Sequence, residues 1–190
     1  MKAFFCVMAG LALMSVASPR AIGQSSSVKS EIARALSAAP TSVSAGASVD
    51  TADAKGHMTE LRRGSNGWTC VIDDPAAIQH DPIEHHPACF DKHGLEWMEA
   101  FTAGRVPNPD RAGYAYMLEG GSSWSNTDPS ATKLAPGQKD YIRIPAHIMI
   151  LNAKVANSSG FPSGQAKPDT RKPFVMFGGT AYAILIIPVN

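Results

Sequence analysis

Two cysteines, Cys70 and Cys89, constrain this chain more than any other residues, because the sequence ahead of them predicts that they meet an oxidising compartment. Lys2 supplies a positive start, the apolar run over 4–17 is too short for a membrane anchor, and Ala21, Ile22 and Gly23 suit a cleavage site. The reading is a signal peptide over 1–23 and a mature chain that begins near Gln24, outside the cytoplasm. Thiols there are usually oxidised, so Cys70 and Cys89 are expected to pair. Closing that loop contributes about 3 kcal/mol on the chain-entropy account. A zinc site is the weaker alternative, since the two cysteines lack the short spacing such sites use. Cys6 sits inside the leader without the flanking residues of a lipid anchor.

Removal of the leader leaves about 167 residues, one ordinary domain with enough chain to bury a core. Lys2 and Arg20 leave with it, taking the formal charge from +1 to −1, with both signs scattered. Nothing in that balance calls for nucleic acid or an anionic membrane. The longest later apolar run, 181–189, is strand-sized, so no membrane span is expected in the mature form.

The region 24–41 reads as a Ser-rich start and a short helix: Val28, Ile32 and Leu36 recur every four residues, Ala35 and Ala39 fill the same side, and Pro40 stops it. The single domain then runs over 42–190. Alternation over 42–49 suggests a strand of small residues, 53–56 a turn, and 57–63 a second strand. Ser65-Asn66-Gly67 resembles a hairpin turn, and Trp68, Cys70 and Ile72 share one face of the strand that follows, which together predict a three-stranded antiparallel meander. Pro75, Pro82 and Pro87 make the stretch between the cysteines an irregular loop. Asp91 is placed to cap a helix with a Leu95, Met98, Phe101 stripe and a Trp97–Phe101 pair, ended by Gly104; Glu96 and Glu99 fall on its solvated side.

The second half is richer in strands. The segments 113–118, 147–151, 174–177 and 181–187 are apolar on both faces, which suits strands covered on both sides and puts the last hairpin near the sheet centre. The segment 153–172, with Gly160, Pro162, Gly164 and Pro168, reads as a long loop. Few helices and short turns favour an α+β fold: a single domain with a mixed or mainly antiparallel sheet, two short helices and one disulfide.

The order of several motifs resembles a family of secreted bacterial proteins with no established activity. The matching pieces are LRRGSNGWTC at 61–70, ACFD at 88–91 followed by LEWMEAF, GYAYMLEGGSSWSNTDP at 113–129, AHIMIL at 146–151 and FVMFGGTAY at 174–182. The resemblance implies a bacterial periplasmic or secreted protein and carries no site residues with it. Family members typically have proline where this chain has Ala146, and a shorter, histidine-poor segment between the cysteines.

Three places have the residue types for chemistry. Gly120, Gly121, Ser122, Ser123, Trp124, Ser125, Asn126, Thr127 and Asp128 follow an apolar strand: two glycines admit close backbone approach, and hydroxyl and amide groups surround one indole. With His147 they form a candidate ligand site, unless the polar side chains only hold a turn ahead of Pro129. Ser122 or Ser123 with Asp128 and His147 has the makings of a serine hydrolase triad, but the glycine-x-serine-x-glycine elbow is missing, and a histidine bonded within the core explains His147 equally. His80, His85, His86 and His93, with Asp81 and Glu84, have metal-ligating side chains, although Pro82 and Pro87 prevent helical alignment and a solvated loop accounts for them too. No motif calls for a cofactor. The sequence therefore favours non-catalytic ligand or surface binding through 120–129, with the serine hydrolase and the divalent-metal loop as alternatives.

Overall fold

The computed structural model describes residues 26–79 and 82–189. The leader, Cys6, His80 and Asp81 lie outside the described residues. The strands, in chain order, are β1 (Ser48–Ala52), β2 (Met58–Arg62), β3 (Thr69–Asp73), β4 (Ala88–Phe90), β5 (Gly113–Met117), β6 (Gly121–Ser123), β7 (Ile142–Ile144), β8 (His147–Leu151), β9 (Phe174–Met176) and β10 (Ile184–Pro188). The helices are α1 (Ser26–Leu36), α2 (Thr41–Ser44), α3 (Pro75–Ile78), α4 (Lys92–Thr102) and α5 (Ala153–Ser158). Eight strands form one mixed sheet in the order β2-β1-β3-β4-β5-β8-β10-β9, and β6 pairs with β7 in a small second sheet. The chain is a single α+β domain in which α1 and α4, eleven residues each, are the long helices.

Alternation along the strands divides the core by face. One face carries Val71, Phe90, Ala115, Met149, Leu151, Ile184 and Ile186, which pack with Trp97 of α4 and with Ile142 and Ile144 of β7. The opposite face is covered at its two ends. There α1 lies on Val49, Cys70, Ile72 and Cys89, while α5 lies on Val175, Ala183 and Leu185. The α1 side uses small residues, and Ala35 and Ala38 are fully buried, so the helix sits close to the sheet. Cys70 and Cys89 are bonded directly across the β3–β4 pair. That bridge joins the β2-β1-β3 half of the sheet to the rest.

The antiparallel meander does not form. β1 and β2 pair antiparallel, but β3 returns on the far side of β1 and runs parallel to it. An Asn-Gly hairpin of the tight primed type needs positive φ at both residues; here Gly67 has φ 78° and Asn66 is not positive. Asn66 instead donates its side-chain amide to the Val43 carbonyl at 2.7 Å, and its backbone amide bonds Gly46. The connection crosses over the start of β1 at Gly64, where a Cβ would lie 2.1 Å from the Ser48 nitrogen. Only glycine fits there. The expected strand over 42–49 is also shortened: Pro40 opens α2, with the Val43 and Ser44 amides bonded to its carbonyl, and β1 begins at Ser48.

Two further expectations change. The last hairpin lies at one end of the sheet, with β9 as the edge strand. β9 is nonetheless buried throughout, because loops cover it: Val175 donates to the Pro162 carbonyl at 2.8 Å and Phe177 to the Asn126 carbonyl at 2.7 Å. The stretch 153–172 starts as α5, whose first turn is capped by Asn152; its Oδ1 accepts from Val155 and its Nδ2 donates to the Pro109 and Arg111 carbonyls. Between β3 and β4 the described residues are irregular apart from the single turn of α3, which Pro75 begins.

Asp91 does more than cap α4. Its Oδ1 accepts from the Gly94 amide at 2.7 Å and from the Tyr114 amide of β5 at 3.0 Å, tying helix start to strand. At the far end, Arg105 donates to the Ala100 carbonyl and Gly104 to Phe101, a Schellman closure. Asp91→Ala should lower stability by about 1–2 kcal/mol in urea denaturation, and Asp91→Asn should recover most of it. Reduction of the Cys70–Cys89 bond should remove about 3 kcal/mol in the same measurement.

Candidate functional site

The side of α4 that faces the sheet is apolar, with Leu95, Trp97, Met98 and Phe101 turned inward. Trp97 and Phe101 stack at 5.2 Å, and Tyr182 meets Phe101 edge-on at 5.5 Å. These rings fill one end of the layer between α4 and the sheet. Elsewhere the layer is not filled, and a cavity of about 430 Å³ remains. Its floor is Phe90, Met117, Met149, Leu151, Met176 and Ile184, and its walls include Trp97, Met98 and Phe101.

Two loops close the rim, and both were singled out in the sequence. Ser122, Ser123, Trp124, Asp128 and Pro129 contribute from one side, and Ile83, Glu84, His85 and His86 from the other. The hydroxyl of Ser122 donates to the Glu84 carbonyl and joins the two. The 83–86 segment is held further by Arg34, which donates to the His85 carbonyl at 2.7 Å, and by a 2.9 Å contact between His85 Nδ1 and the Asp73 carboxylate. Arg143 reaches the Glu84 carboxylate at 3.8 Å.

Within the 120–129 loop the groups divide by role. Gly120 and Gly121 lead into β6, and a Cβ on Gly121 would sit 3.1 Å from the His147 ring and 3.6 Å from the Met117 sulfur. Ser125 holds the turn: its Oγ accepts from the Thr127 and Asp128 amides. Asn126 is buried, donates to the Gln165 carbonyl at 2.8 Å, and accepts from Phe177 through its backbone carbonyl. Asp128 accepts from the Ser130 amide and hydroxyl, which hold its carboxyl below the usual range. Trp124 leans edge-on against Tyr141 at 6.2 Å, and its carbonyl accepts from Gln138. Part of the loop thus builds the turn, while Ser122, Ser123, Trp124 and Asp128 remain on the cavity wall.

The bonds a serine triad requires are absent among the described residues. His147 Nδ1 bonds the Pro145 carbonyl at 2.7 Å, not Asp128. Ser123 donates to the Ser125 carbonyl at 2.8 Å, and Ser122 is turned to Glu84. With the Nδ1 site donating to a carbonyl, His147 is the Nδ1–H tautomer, and burial pushes its pKa below 6.5. The ring is buried beside Gly121 of β6.

The described metal-ligating side chains find separate partners. His85 faces Asp73, and His86 approaches the Glu84 carboxylate at 3.5 Å. His93 belongs to α4 and contacts Glu96 at 3.2 Å, beside a different cavity. Among the described residues no three His, Cys, Asp or Glu side chains are placed to hold a metal ion. No family model, no curated protein and no solved structure matches the chain.

Sequence reasoning did not find the cavity's apolar lining. Its signal is present in retrospect: Met117, Met149 and Met176 occupy inward positions of strands where β-branched residues are commoner, and methionine fills irregular spaces. For His147 the sign of the pH effect follows from its lowered pKa. The unfolded chain takes up a proton near pH 6.5 and the native state does so only at lower pH, so stability is full above 6.5 and declines as pH falls toward the native value. Imidazole NMR should show the Nδ1–H tautomer and a midpoint below 6.5; a charged ring at pH 6.5 would contradict this assignment.

Proposed function

We propose that the mature protein works outside the cytoplasm as a non-catalytic binding domain that holds a small, largely apolar molecule beneath the 120–129 loop. One observation carries the reading: an unfilled cavity of about 430 Å³ with a floor of core side chains and a polar rim made by that loop. Small-molecule sites have this composition, mostly apolar with a few placed polar groups. The Trp97 ring adds an aromatic face to the wall. Trp124 adds a flat aromatic surface at the rim. The leader sequence and the disulfide support export, and no helix among the described residues is long and apolar enough to cross a membrane.

The test is binding of the neutral apolar fluorophore N-phenyl-1-naphthylamine to disulfide-intact protein. The expected result is saturable one-to-one binding and a rise in thermal midpoint, since ligand at a hundred times Kd stabilises by about 2.7 kcal/mol. Met149→Trp, which fills the floor, should abolish binding, and Trp124→Ala should weaken it roughly tenfold, about 1.4 kcal/mol. Absence of saturable binding, or equal binding by Met149→Trp, would overturn the reading. Covalent labelling of Ser122 or Ser123 by a fluorophosphonate would replace it with a hydrolase.

A further inference from the structure

A second cavity of about 460 Å³ lies beside the first, under the β1–β2 end of the sheet, lined by Ala52, Asp53, Gly56, Met58, Val71 and Ile78 among others. The two cavities share six wall residues: Asp73, His85, His86, Phe90, Met98 and Met117. They meet on either side of the same side chains. Met98 and Met117 are the unbranched members of that partition, able to change rotamer at little cost. From Ala52 on β1 to Met176 on β9 the combined floor crosses six inter-strand steps, about 29 Å at the usual strand spacing.

Two properties of the walls specify an occupant. The chain has eight methionines, three of them at positions 1, 8 and 14, and all five others (Met58, Met98, Met117, Met149 and Met176) line these two cavities. A flexible thioether surface adapts to a flexible hydrocarbon better than to a rigid ring system. Most carboxylates on these walls have a basic neighbour: Asp53 meets His57 at 3.0 Å, Asp73 meets His85 at 2.9 Å, and Glu84 meets Arg143 at 3.8 Å. Asp53 and Asp73 line the second cavity and Asp73, Glu84 and Asp128 the first, whereas no Lys or Arg lines either among the described residues. The carboxyl of Asp53 is held down to about 2 by the His57 amide and ring, and that of Asp128 is held below the usual range, so both are ionised at neutral pH. At the rim, the Asp128 carboxylate, held by the Ser130 amide and hydroxyl, favours a cationic head over a carboxylate or phosphate.

We infer that the two cavities are one channel, opened by movement of Met98 and Met117, and that its ligand is a linear alkyl chain carrying an ammonium head. The inference rests on the binding reading above and adds to it the length of the site and the charge of the ligand. The chain lies along the methionine floor, and the ammonium group remains at the carboxylate-bearing rim, where Trp124 also offers a ring face to a cation.

The experiment is calorimetric titration of the full mature protein with primary n-alkylamines from hexyl to hexadecyl, each below its micelle concentration, and with dodecanol and dodecanoate. Affinity should rise roughly fourfold per added methylene, and the gain should persist to longer chains in the wild type than in Met117→Trp or Met98→Trp, which block the partition. Dodecylamine should bind at least tenfold more tightly than dodecanoate at neutral pH, with the ratio shrinking in high salt. A gain that stops at the same short chain in wild type and both variants would overturn the channel, and dodecanoate binding as tightly as dodecylamine would overturn the assigned head group. Should a variant fail to fold, the wild-type length series and head-group ranking decide alone. If the naphthylamine binds while every alkyl series is flat, only this inference falls; if neither binds, the cavity reading falls with it.

Discussion

The contact on which the rest of the structure depends is the landing of α4 on β5. Gly113 and Gly94 approach so closely that a Cβ on Gly113 would lie 2.3 Å from the Gly94 nitrogen, and one on Gly94 would lie 2.6 Å from the Tyr114 carbonyl oxygen. No other residue pair permits that approach. The Asp91 carboxylate then bonds the amides of Gly94 and Tyr114 and fixes the helix by its first turn. The helix touches the sheet at its N-terminal end and is held off it further along by Trp97, Phe101 and Tyr182. These rings and the slender methionines beside them leave space between helix and sheet. The cavity follows from the packing of this layer, and the loops over 83–86 and 120–129 close it.

The disulfide has a different part in the same arrangement. It joins β3 to β4, beside the strand on which α4 lands, and it lies on the face covered by α1. The opposite face of the same strands supplies Val71 and Phe90 to the cavity walls. A covalent bond on one side of a two-sided sheet therefore keeps strand spacing constant on the other. This matters because Ala35 is the one residue of α1 buried there, while Ile32 and Leu36 are only partly buried.

Features set by local chemistry were legible in the sequence. Asp91 as a cap, the Trp97–Phe101 pair, the stop at Gly104, the turn at 53–56 and the pairing of Cys70 with Cys89 depend on residues near one another or on redox conditions alone. Features set by distant contacts were not. Ser65-Asn66-Gly67 has hairpin composition, but Asn66 is claimed by Val43 and Gly46, and β3 crosses to the far side of β1. The run 174–177 has the composition of a central strand and is an edge, because the Pro162 and Asn126 carbonyls stand in for a neighbouring strand. The 120–129 loop was visible as a donor-rich segment, yet its meeting with the 83–86 segment and the methionine floor beneath both required the fold. His147 donates its Nδ1–H to the Pro145 carbonyl and not to Asp128, a pairing only the fold reveals.

The central claim is that the space between α4 and the sheet receives a ligand. Methionine methyl NMR tests it most directly, because Met58, Met98, Met117, Met149 and Met176 all line that space and report on it from both cavities. On titration with dodecylamine the account predicts saturable shifts at Met98, Met117, Met149 and Met176 with a single midpoint, extending to Met58. Methyl signals that stay fixed while perturbations gather around Tyr141 and the exposed Arg143 would contradict it.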